Sequence, residues 1–527
     1  MSSTTIDIRN VVQEEALIQA LLDASAYPHP VQNIRLLDTH ISWVILSGPY
    51  AYKIKKPLKL EFLDYSTLEL RKHFCEEELR LNSLWAPGLY VDVVAITGTY
   101  EQPEIAGSGA PVEYAVRMQQ FPQSAQLDVQ LENGLVAEDD MLTLAETIAD
   151  KHGIVDVCRN LGVEEARRLI QHPMLENIEH LKGHIDWQEL EPLATWTGDS
   201  IEALWPILLR RQDEGFVREC HGDLKLSNLV RLESGIVAFD CVEFNAELRD
   251  IDVISDVSFL VMDLVSLEHQ DLAYTFLNRY LERTGDYEGM TVFALYYVYH
   301  ALIRAKIAAI RSLERKNTMD AECDIEEMTF YCDVARERVN RDRPKLILMH
   351  GFSGSGKTWL SQQLLSCMPA IRIRSDIERK RALGLEEREG SGSGVGTGIY
   401  TDDARRDVYA RLGKLAEALL DAGNNVIVDA SFLEREHRRR FRGLAERLGS
   451  GFSIVDLRAQ RDFLERQLRE RDRAGRDASE ADVAVLGHQF EHADPLDDSE
   501  ANVAVPVEMD ETVDADAIVR ALLETQR

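Results

Sequence analysis

One short segment combines glycines, hydroxyls and a lysine in an order suited to holding phosphate groups. It reads Gly351-Phe-Ser-Gly-Ser-Gly-Lys-Thr358, follows the apolar run Leu346–Met349 and precedes a helical pattern from Trp359. Glycines let successive backbone N–H groups point into one concavity, and a helix N-terminus adds its dipole. In this pattern the lysine reaches the β- and γ-phosphates of ATP, and the last hydroxyl ligates Mg²⁺. The predicted ATP and Mg²⁺ site comprises Gly351, Ser353, Gly354, Ser355, Gly356, Lys357 and Thr358.

Two aspartates follow the next apolar runs of the same region. Asp376 comes directly after Ile371–Ser375, and Asp429 ends the run that starts at Asn425. Ligands of open α/β sheets lie beyond the carboxyl ends of the strands. Asp376 is therefore predicted to accept the proton of an acceptor hydroxyl, or else to be the N-cap of the following helix. Asp429 is predicted to ligate Mg²⁺, or else to cap its strand.

A second set of acids lies near the middle of the chain, in His221-Gly-Asp-Leu-Lys-Leu-Ser-Asn228 and at Asp240. An Asp, an Asn five residues later and a second Asp after a hairpin are the groups that kinases use. The first positions the acceptor hydroxyl, and the other two hold the metal ions on ATP. These roles fall to Asp223, Asn228 and Asp240. Lys225 would neutralise charge on the transferred phosphate, or is an exposed cation.

The first part of the chain must position this second set. Three short β-like runs, 34–37, 42–46 and 50–55, indicate an antiparallel meander, with the turn signal Ser47-Gly48-Pro49 before the third. A helix is predicted over 66–84, with Ser66 or Thr67 as its cap, and a further strand over 113–118. Helical patterns then dominate to Asn340, interrupted by a strand-rich patch over 216–244.

A new pattern starts after the polar, proline-containing segment 339–344. Strands predicted at 345–350, 371–374, 425–429 and 452–457 alternate with helical runs, which indicates a parallel sheet covered by helices. A glycine-rich low-complexity loop, 390–398, interrupts this region. We therefore expect two domains, 1–340 and 341–527. The fold class is an α+β bilobal domain, with a small lobe over 28–120 and a large lobe over 121–340, followed by an α/β domain with a parallel sheet.

Composition limits the classes of protein and partner. The chain has 527 residues, enough for two or three domains, and a net charge of −32. That charge disfavours a general nucleic-acid binder, although arginines are dense over 435–476. Those arginines are either a solvated helix face paired with glutamates or phosphate-binding groups. Seven scattered cysteines without a CxxC pair, a start without signal-peptide order and no apolar run of membrane-spanning length predict a cytoplasmic protein without a membrane segment.

The C-terminal motifs resemble those of P-loop small-molecule kinases, a group that includes gluconate-kinase-like, zeta-toxin-like and 5′-polynucleotide-kinase enzymes. The resemblance rests on GFSGSGKT, RSDIERKR, VIVDASF and a late arginine-rich helix with Ser-Glu-Ala-Asp, and it covers most of residues 345–500. It implies that Asp376 accepts the substrate hydroxyl proton. It also implies that lid arginines clamp the phosphates, with Arg466, Arg469 and Arg471 in the matching positions.

The N-terminal motifs resemble the aminoglycoside-phosphotransferase branch of the protein-kinase-like fold over roughly residues 30–335. This implies Asp223 as the catalytic base, Asn228 and Asp240 as Mg²⁺ ligands, and His221 as a support of the catalytic loop. The chain departs from the pattern in having Lys225 two residues after the base, and no glycine-rich loop at 38–42. The tandem order, with segments 51–57, 74–82 and 259–263, resembles a bacterial two-domain family with a P-loop kinase second.

The kinase-like resemblance also implies an ATP-positioning pair of a lysine and a glutamate. Ala51-Tyr-Lys53 fits the Ala-x-Lys pattern of the third strand, where alternation aims Lys53 at the nucleotide. Lys55 shares that face and is the alternative. The glutamate must come from Glu76–Glu78, and the spacing to the leucines that follow favours Glu76 or Glu77, of which we take Glu77.

These observations predict an enzyme, a bifunctional ATP- and Mg²⁺-dependent kinase with two separate sites. Its acceptors would be hydroxyl groups of small molecules such as sugars or nucleotide sugars. One alternative makes the C-terminal half a 5′-hydroxyl polynucleotide kinase. A second makes the chain an ATP-dependent switch with a non-catalytic N-terminal binding module, against which the complete acid set argues. The sequence does not determine the acceptor, the oligomeric state or any coupling between domains.

Overall fold

The computed structural model describes residues 8–31, 33–60, 63–158, 162–315, 318–387, 389, 402–474, 482–509 and 512–524. The glycine-rich loop 390–398 and part of the predicted Ser-Glu-Ala-Asp segment lie outside these residues. The chain forms two compact units. The first contains residues 1–140, 150–169 and 209–260, and the second contains 141–149, 170–208 and 261–527. The predicted domain boundary near residue 340 does not coincide with this division and stays a prediction.

The first unit is built around a six-stranded antiparallel sheet of order β1-β2-β3-β8-β6-β7. Three strand pairs, β4 with β5, β9 with β12 and β10 with β11, stand beside it. The twelve strands are β1 (Arg35–Asp38), β2 (Ser42–Ser47), β3 (Tyr50–Lys55), β4 (Lys59–Leu60), β5 (Leu63–Asp64), β6 (Tyr90–Gly98), β7 (Pro103–Ile105), β8 (Pro111–Gln119), β9 (Val217–Glu219), β10 (Leu229–Leu232), β11 (Gly235–Ala238) and β12 (Asp250–Asp252).

Ten helices lie between the start of the described chain and residue 339. They are α1 (Ile8–Ala20), α2 (Leu68–Trp85), α3 (Leu127–Glu132), α4 (Glu138–Ile154), α5 (Val163–Leu181), α6 (Trp187–Asp213), α7 (Val253–Ser266), α8 (Gln270–Thr284), α9 (Met290–Glu314) and α10 (Met319–Val339). Successive side chains of β3 point to opposite faces of the sheet and belong to two separate hydrophobic clusters of the first unit. Tyr52 and Ile54 pack with Leu17 of α1 and with Leu21, which follows that helix, whereas Ala51 packs on the other face with α2.

The second unit contains a five-stranded parallel sheet of order β14-β15-β13-β16-β17. Its strands are β13 (Lys345–His350), β14 (Ala370–Arg374), β15 (Asn425–Asp429), β16 (Gly451–Arg458) and β17 (Ala504–Glu508). Its helices are α11 (Lys357–Cys367), α12 (Ser375–Ala382), α13 (Asp402–Asp421), α14 (Arg435–Leu448), α15 (Arg461–Ala474), α16 (Val483–His492), α17 (Asp498–Ala501) and α18 (Ala515–Glu524). Buried residues of β13 pack against α11 and α18, as the near-continuous apolar strand predicts.

The predicted fold class is confirmed: an α+β part with an antiparallel sheet precedes an α/β part with a parallel sheet. The predicted cap of α2 is Thr67, whose hydroxyl accepts a hydrogen bond from the Leu70 N–H at 3.2 Å. Six of the described strands have no counterpart in the prediction: β4, β5, β6, β7, β12 and β17. In the part of the chain that the structure describes, one helical segment, 287–313, is long and apolar enough to cross a membrane, but 61% of its most apolar window is buried, as in a core helix.

Candidate active site

The lysine predicted on β3 forms an ion pair with a glutamate of α2. The Nζ of Lys53 lies 2.8 Å from Oε1 of Glu78, and it also contacts the carboxylate of Asp240. The expectation that Glu77 is the partner is wrong, because Glu77 accepts hydrogen bonds from Arg80 instead, at 2.9 Å from its Nη2. On α2 the buried stripe runs through Arg71, Cys75, Glu78, Leu81, Asn82 and Trp85, and Glu77 lies one residue off it.

A second lysine, the alternative considered for this role, completes a buried charge cluster. The side chain of Lys55 is fully buried, with its Nζ 2.8 Å from the other oxygen of Glu78 and in contact with Glu243. The Tyr65 hydroxyl donates to Glu243 at 2.5 Å. Burial alone would lower the pKa of Lys55, but Glu243 and Glu78 outweigh it and raise that pKa well above its ordinary value. Motif spacing gave no signal for Glu243 or Tyr65.

The segment His221–Asn228 brings three predicted residues together. The carboxylate of Asp223 accepts a hydrogen bond from Nζ of Lys225 at 2.7 Å and one from Nδ2 of Asn228 at 2.8 Å. Lys225 is therefore not a free exposed cation but a partner of Asp223. Because the amide nitrogen of Asn228 also donates to the Asp223 carbonyl, its oxygen is the atom suited to a cation.

His221 contacts this loop from within the core. The backbone N–H of Asp223 lies 3.3 Å from its Nδ1. Its Nε2 is 3.0 Å from the Phe239 carbonyl, and its ring meets Trp85 edge-on. The backbone N–H groups of His221 and Gly222 both donate to the buried carboxylate of Asp256, each at 3.0 Å. Burial lowers the pKa of His221, so the imidazole is neutral at pH 7. Asp256 therefore fixes the backbone from which Asp223 projects.

Asp240 follows the β10–β11 hairpin with a backbone φ of 63°, a conformation that Asp tolerates better than most residues. Its N–H donates to the Tyr90 hydroxyl at 3.1 Å. Burial raises the pKa of Asp240, but the ammonium groups of Lys53 and Lys225 outweigh it and lower that pKa. Asp240 is therefore a carboxylate, and together with the Asn228 oxygen it offers the hard oxygen donors that Mg²⁺ prefers.

The predicted phosphate-binding loop connects β13 to α11. Gly354 and Gly356 have φ values of 83° and 85°, which favour glycine. A Cβ added at Gly354 would lie 2.7 Å from the Leu464 carbonyl oxygen. The Nζ of Lys357 lies over the loop and donates to the carbonyls of Gly351 and Phe352, at 3.0 and 2.8 Å. Burial lowers the pKa of Lys357 to about 8, so the ammonium gains strongly from an anion placed there.

Thr358 and Asp429 meet at the carboxyl end of the parallel sheet. The Thr358 hydroxyl donates to Oδ2 of Asp429 at 2.7 Å. Burial raises the pKa of Asp429, against the opposing effect of Arg374 and Arg372. A hydroxyl and a carboxylate in contact next to the loop are a donor set that fits Mg²⁺.

Asp376 lies in the first turn of α12 rather than at its cap, because the helix begins at Ser375. Its carboxylate accepts from Nη1 of Arg379 at 3.0 Å. Asp376 also raises the pKa of Lys357 through its charge, as Asp429 does. The predicted base and the predicted phosphate-binding lysine therefore act on each other electrostatically.

The three arginines predicted as a lid lie on α15, but their surroundings differ. Arg466 is exposed and lies over the Phe463 ring, and Arg469 is paired with Glu465 at 3.2 Å. Arg471 is close enough to lower the pKa of Lys357. The role of each in phosphate binding stays a prediction.

Helix α16 contributes contacts to the loop that the sequence did not indicate. Oε1 of Gln489 accepts from the Ser353 N–H at 2.9 Å, and its Nε2 donates to the Ser353 hydroxyl at 3.0 Å. The ring of Phe490 stacks on Phe352 with 4.3 Å between centroids. Neither residue belongs to a motif, and Gln489 lies 136 positions after Ser353 in sequence, so no local pattern could have shown the contacts.

The buried Lys357 ammonium predicts a pH dependence of nucleotide binding at the loop. Above a pKa of about 8 the free protein loses the charge that pairs with phosphate. In a full-length chain with Lys53→Ala, ATP should bind about tenfold more weakly at pH 9 than at pH 7. The measurement is a nucleotide titration at both pH values. Lys357→Arg stays charged and should lose the dependence; an equal dependence in both chains would contradict the assignment.

Comparison with known proteins gives a family for part of the chain. Residues 346–496 match the family model described as an AAA domain. Uncharacterized proteins of Mycobacterium tuberculosis and Mycobacterium bovis are 26% identical over 495 residues, which covers 90% of this chain and 96% of theirs. A gluconokinase from Sinorhizobium meliloti is 24% identical over 35% of this chain and 93% of its own, with a TM-score of 0.25. A choline kinase from Cryptosporidium parvum is 11% identical over 61% of this chain and 96% of its own, with a TM-score of 0.38. Residues 346–496 are thus similar to AAA domains, and they contain the predicted phosphate-binding loop.

Proposed function

We propose that the chain is an ATP-dependent phosphotransferase with two separate sites, each acting on a hydroxyl group of a small molecule such as a sugar or a nucleotide sugar. One observation carries the proposal: each site pairs a carboxylate able to act as a base with a lysine and with oxygen donors suited to Mg²⁺. These sets are Asp223 with Lys53, Asn228 and Asp240, and Asp376 with Lys357, Thr358 and Asp429.

At the first site, Asp223 would accept the proton of the acceptor hydroxyl. Its hydrogen bonds from Lys225 and Asn228 orient the carboxylate, and the Lys225 ammonium would offset charge on the phosphoryl group in transfer. Lys53, held by Glu78, would contact the phosphates of ATP. When bound, Mg²⁺ supplies neutralisation of the phosphate charge at both sites.

At the second site, the loop glycines leave room for phosphates beside backbone N–H groups, and the N-terminus of α11 adds its dipole. Lys357 would exchange its bonds to the Gly351 and Phe352 carbonyls for the phosphates. Asp376 would hold the acceptor hydroxyl, and the hydrogen bond from Arg379 at 3.0 Å orients its carboxylate.

The alternative of a polynucleotide kinase depends on arginines available to a polyanion. Within the described part of α14 several of them already meet acids: Arg438 is buried on Glu500 at 2.9 Å, and Arg447 pairs with Glu417 at 2.6 Å. These ion pairs favour the interpretation that the arginines belong to a helix face paired with acidic residues. Binding of DNA or RNA ends with a steep salt dependence would support the alternative; indifference to such ends would remove it.

The function is tested by incubating the full-length protein with Mg²⁺ and γ-labelled ATP across a library of hydroxylated metabolites. The same screen is run with Asp223→Ala and with Lys357→Ala. We expect at least two acceptor classes, each lost in one variant and kept in the other. If both variants match the wild type on every acceptor found, the two-site proposal is wrong.

A further inference from the structure

Helix α8, which lies outside the predicted P-loop domain, pairs with the edge of the P-loop sheet. Strand β14 is the terminal strand of that sheet. The buried side chain of Asn278 donates from Nδ2 to the Ala370 carbonyl at 2.9 Å, and its Oδ1 accepts from the Arg372 N–H at 2.6 Å. One amide side chain thereby satisfies the two backbone groups that a neighbouring strand would otherwise pair with. Helix α8 is thus fixed to the strand that leads to Asp376.

Glu282, one helical turn beyond Asn278, is a buried carboxylate surrounded by arginines. Arg372 donates to it from Nε at 3.0 Å and from Nη2 at 2.7 Å. Nη1 of Arg374 lies 3.7 Å from its other oxygen, and Nη1 of Arg279 lies 3.6 Å away. Burial raises the pKa of Glu282, but Arg372 and Arg374 outweigh it and lower that pKa. The carboxylate is therefore the direct ion-pair partner of Arg372, and it shares Arg374 with other carboxylates.

The same two arginines border the residues suited to Mg²⁺. Nη1 of Arg372 is within 3.4 Å of the Thr358 carbonyl oxygen, and Nε of Arg374 is 3.9 Å from Oδ2 of Asp429. Arg374 thus has three carboxylates around it: Glu282 and Asp429, and also Glu387, whose Oε1 lies 3.6 Å from its Nη1. The Arg374 guanidinium is attracted by each carboxylate near it, and the attraction grows as the distance falls. The charge on Glu282 therefore limits how closely Arg374 approaches Asp429.

We propose that Glu282 is a positioning residue of the P-loop site: it keeps Arg374 from forming a direct hydrogen bond to Asp429, so that Asp429 and Thr358 remain available to Mg²⁺. This inference rests on the proposed function of the loop as an ATP site. Without the Glu282 charge, Asp429 and Glu387 are the carboxylates left beside Arg374, and Arg374 competes with the metal for Asp429. The P-loop site therefore depends on a residue from the predicted kinase-like domain.

The test is Glu282→Gln in the full-length chain, with Lys53→Ala to remove binding at the first site. Binding of a fluorescent ATP analogue is measured as a function of Mg²⁺ concentration. The half-saturating Mg²⁺ concentration should rise about 10- to 100-fold, the range for loss of a group that orients metal ligands. Binding without Mg²⁺ should stay unchanged, which a general loss of structure would not allow.

Two controls separate the possible outcomes. Glu386→Gln removes an exposed ion pair, at 3.0 Å, between Arg283 of the same helix and the segment after α12, and should leave the Mg²⁺ requirement unchanged. In the same Lys53→Ala background, Lys357→Ala should abolish the binding signal; if it does not, the loop is not the nucleotide site and the proposed function fails. If Lys357→Ala abolishes binding but Glu282→Gln behaves like Glu386→Gln, only the role of Glu282 is wrong.

Variants that lack Arg374, the competing cation, give an independent test. Arg374→Gln alone should lower the half-saturating Mg²⁺ concentration, and the double variant Glu282→Gln/Arg374→Gln should return toward the wild-type value. If Glu282→Gln does not fold, the test rests on Arg374→Gln, and an unchanged or raised Mg²⁺ requirement in that variant overturns the proposal.

Discussion

Asp223→Asn should abolish phosphoryl transfer at the first site and leave the P-loop reaction at its full rate. Loss of a positioned general base costs on the order of 10²–10⁴ in rate. The substitution keeps the size of the side chain and an oxygen that accepts the bonds from Lys225 and Asn228, so the loop should retain its geometry. The measurement is the rate of label transfer from ATP to each acceptor found in the screen.

A matched control for this variant is Asp250→Asn, which changes an acid on β12 that has no place in the proposed chemistry. It should transfer phosphate to both acceptor classes like the wild type. A second readout is nucleotide binding, which should be unchanged in Asp223→Asn because the carboxylate is proposed to act on the acceptor. Equal loss of both reactions in Asp223→Asn would contradict the assignment of separate sites.

Glu78→Gln should destabilise the first unit severely. The carboxylate lies within 2.8 Å of the ammonium groups of both Lys53 and Lys55, and its side chain is completely buried. Removing one partner of a buried ion pair costs about 3–5 kcal/mol when the remaining charge is left uncompensated. Because Lys53 keeps its contact with Asp240 and Lys55 keeps its contact with Glu243, we expect a loss of about 3 kcal/mol, the lower end of that range. Here two ammonium groups lose a common anion. The measurement is the free energy of unfolding from urea titration followed by fluorescence.

The neighbouring Glu77→Gln is the control for this effect, since it is the same chemical change one residue away. Glu77 is partly exposed and pairs with Arg80, so its removal should cost about 0–1 kcal/mol. The pair of variants distinguishes the observed partner of Lys53 from the one that the sequence favoured. Similar losses of stability in both variants would contradict the central place of Glu78 in the cluster.

The contrast between Glu77 and Glu78 shows where sequence patterns stop being sufficient. Three consecutive glutamates differ only in their direction around α2, by about 100° per residue. The prediction used the leucines 79, 81 and 84 to locate the buried stripe, but the stripe is carried by Cys75, Leu81, Asn82 and Trp85, and includes Glu78 itself. The buried face of a helix is inferred from its apolar residues. A buried charged residue such as Glu78 is an exception to that pattern, so the pattern cannot locate it.

The loop motif was predictable because its function needs neighbouring residues in one contiguous segment. Glycine conformation, Lys357 and Thr358 follow from strand, loop and helix in that order. Gln489 at Ser353 and Glu282 at Arg372 come from distant parts of the chain and belong to no motif. Such contacts are set by how helices pack on the sheet, which composition and periodicity do not encode. The parallel sheet itself followed from its alternating strands and helices, but the addition of α8 at its edge did not.

The measurement that tests two independent ATP sites most directly is the stoichiometry of nucleotide binding to the full-length chain with Mg²⁺. We expect the wild type to bind two nucleotides per chain, Lys53→Ala and Lys357→Ala to bind one each, and the double variant to bind none. Retained binding in Lys357→Ala comes from the site at Lys53, Asn228 and Asp240. A wild type that binds a single nucleotide, lost entirely in Lys357→Ala, would contradict the account.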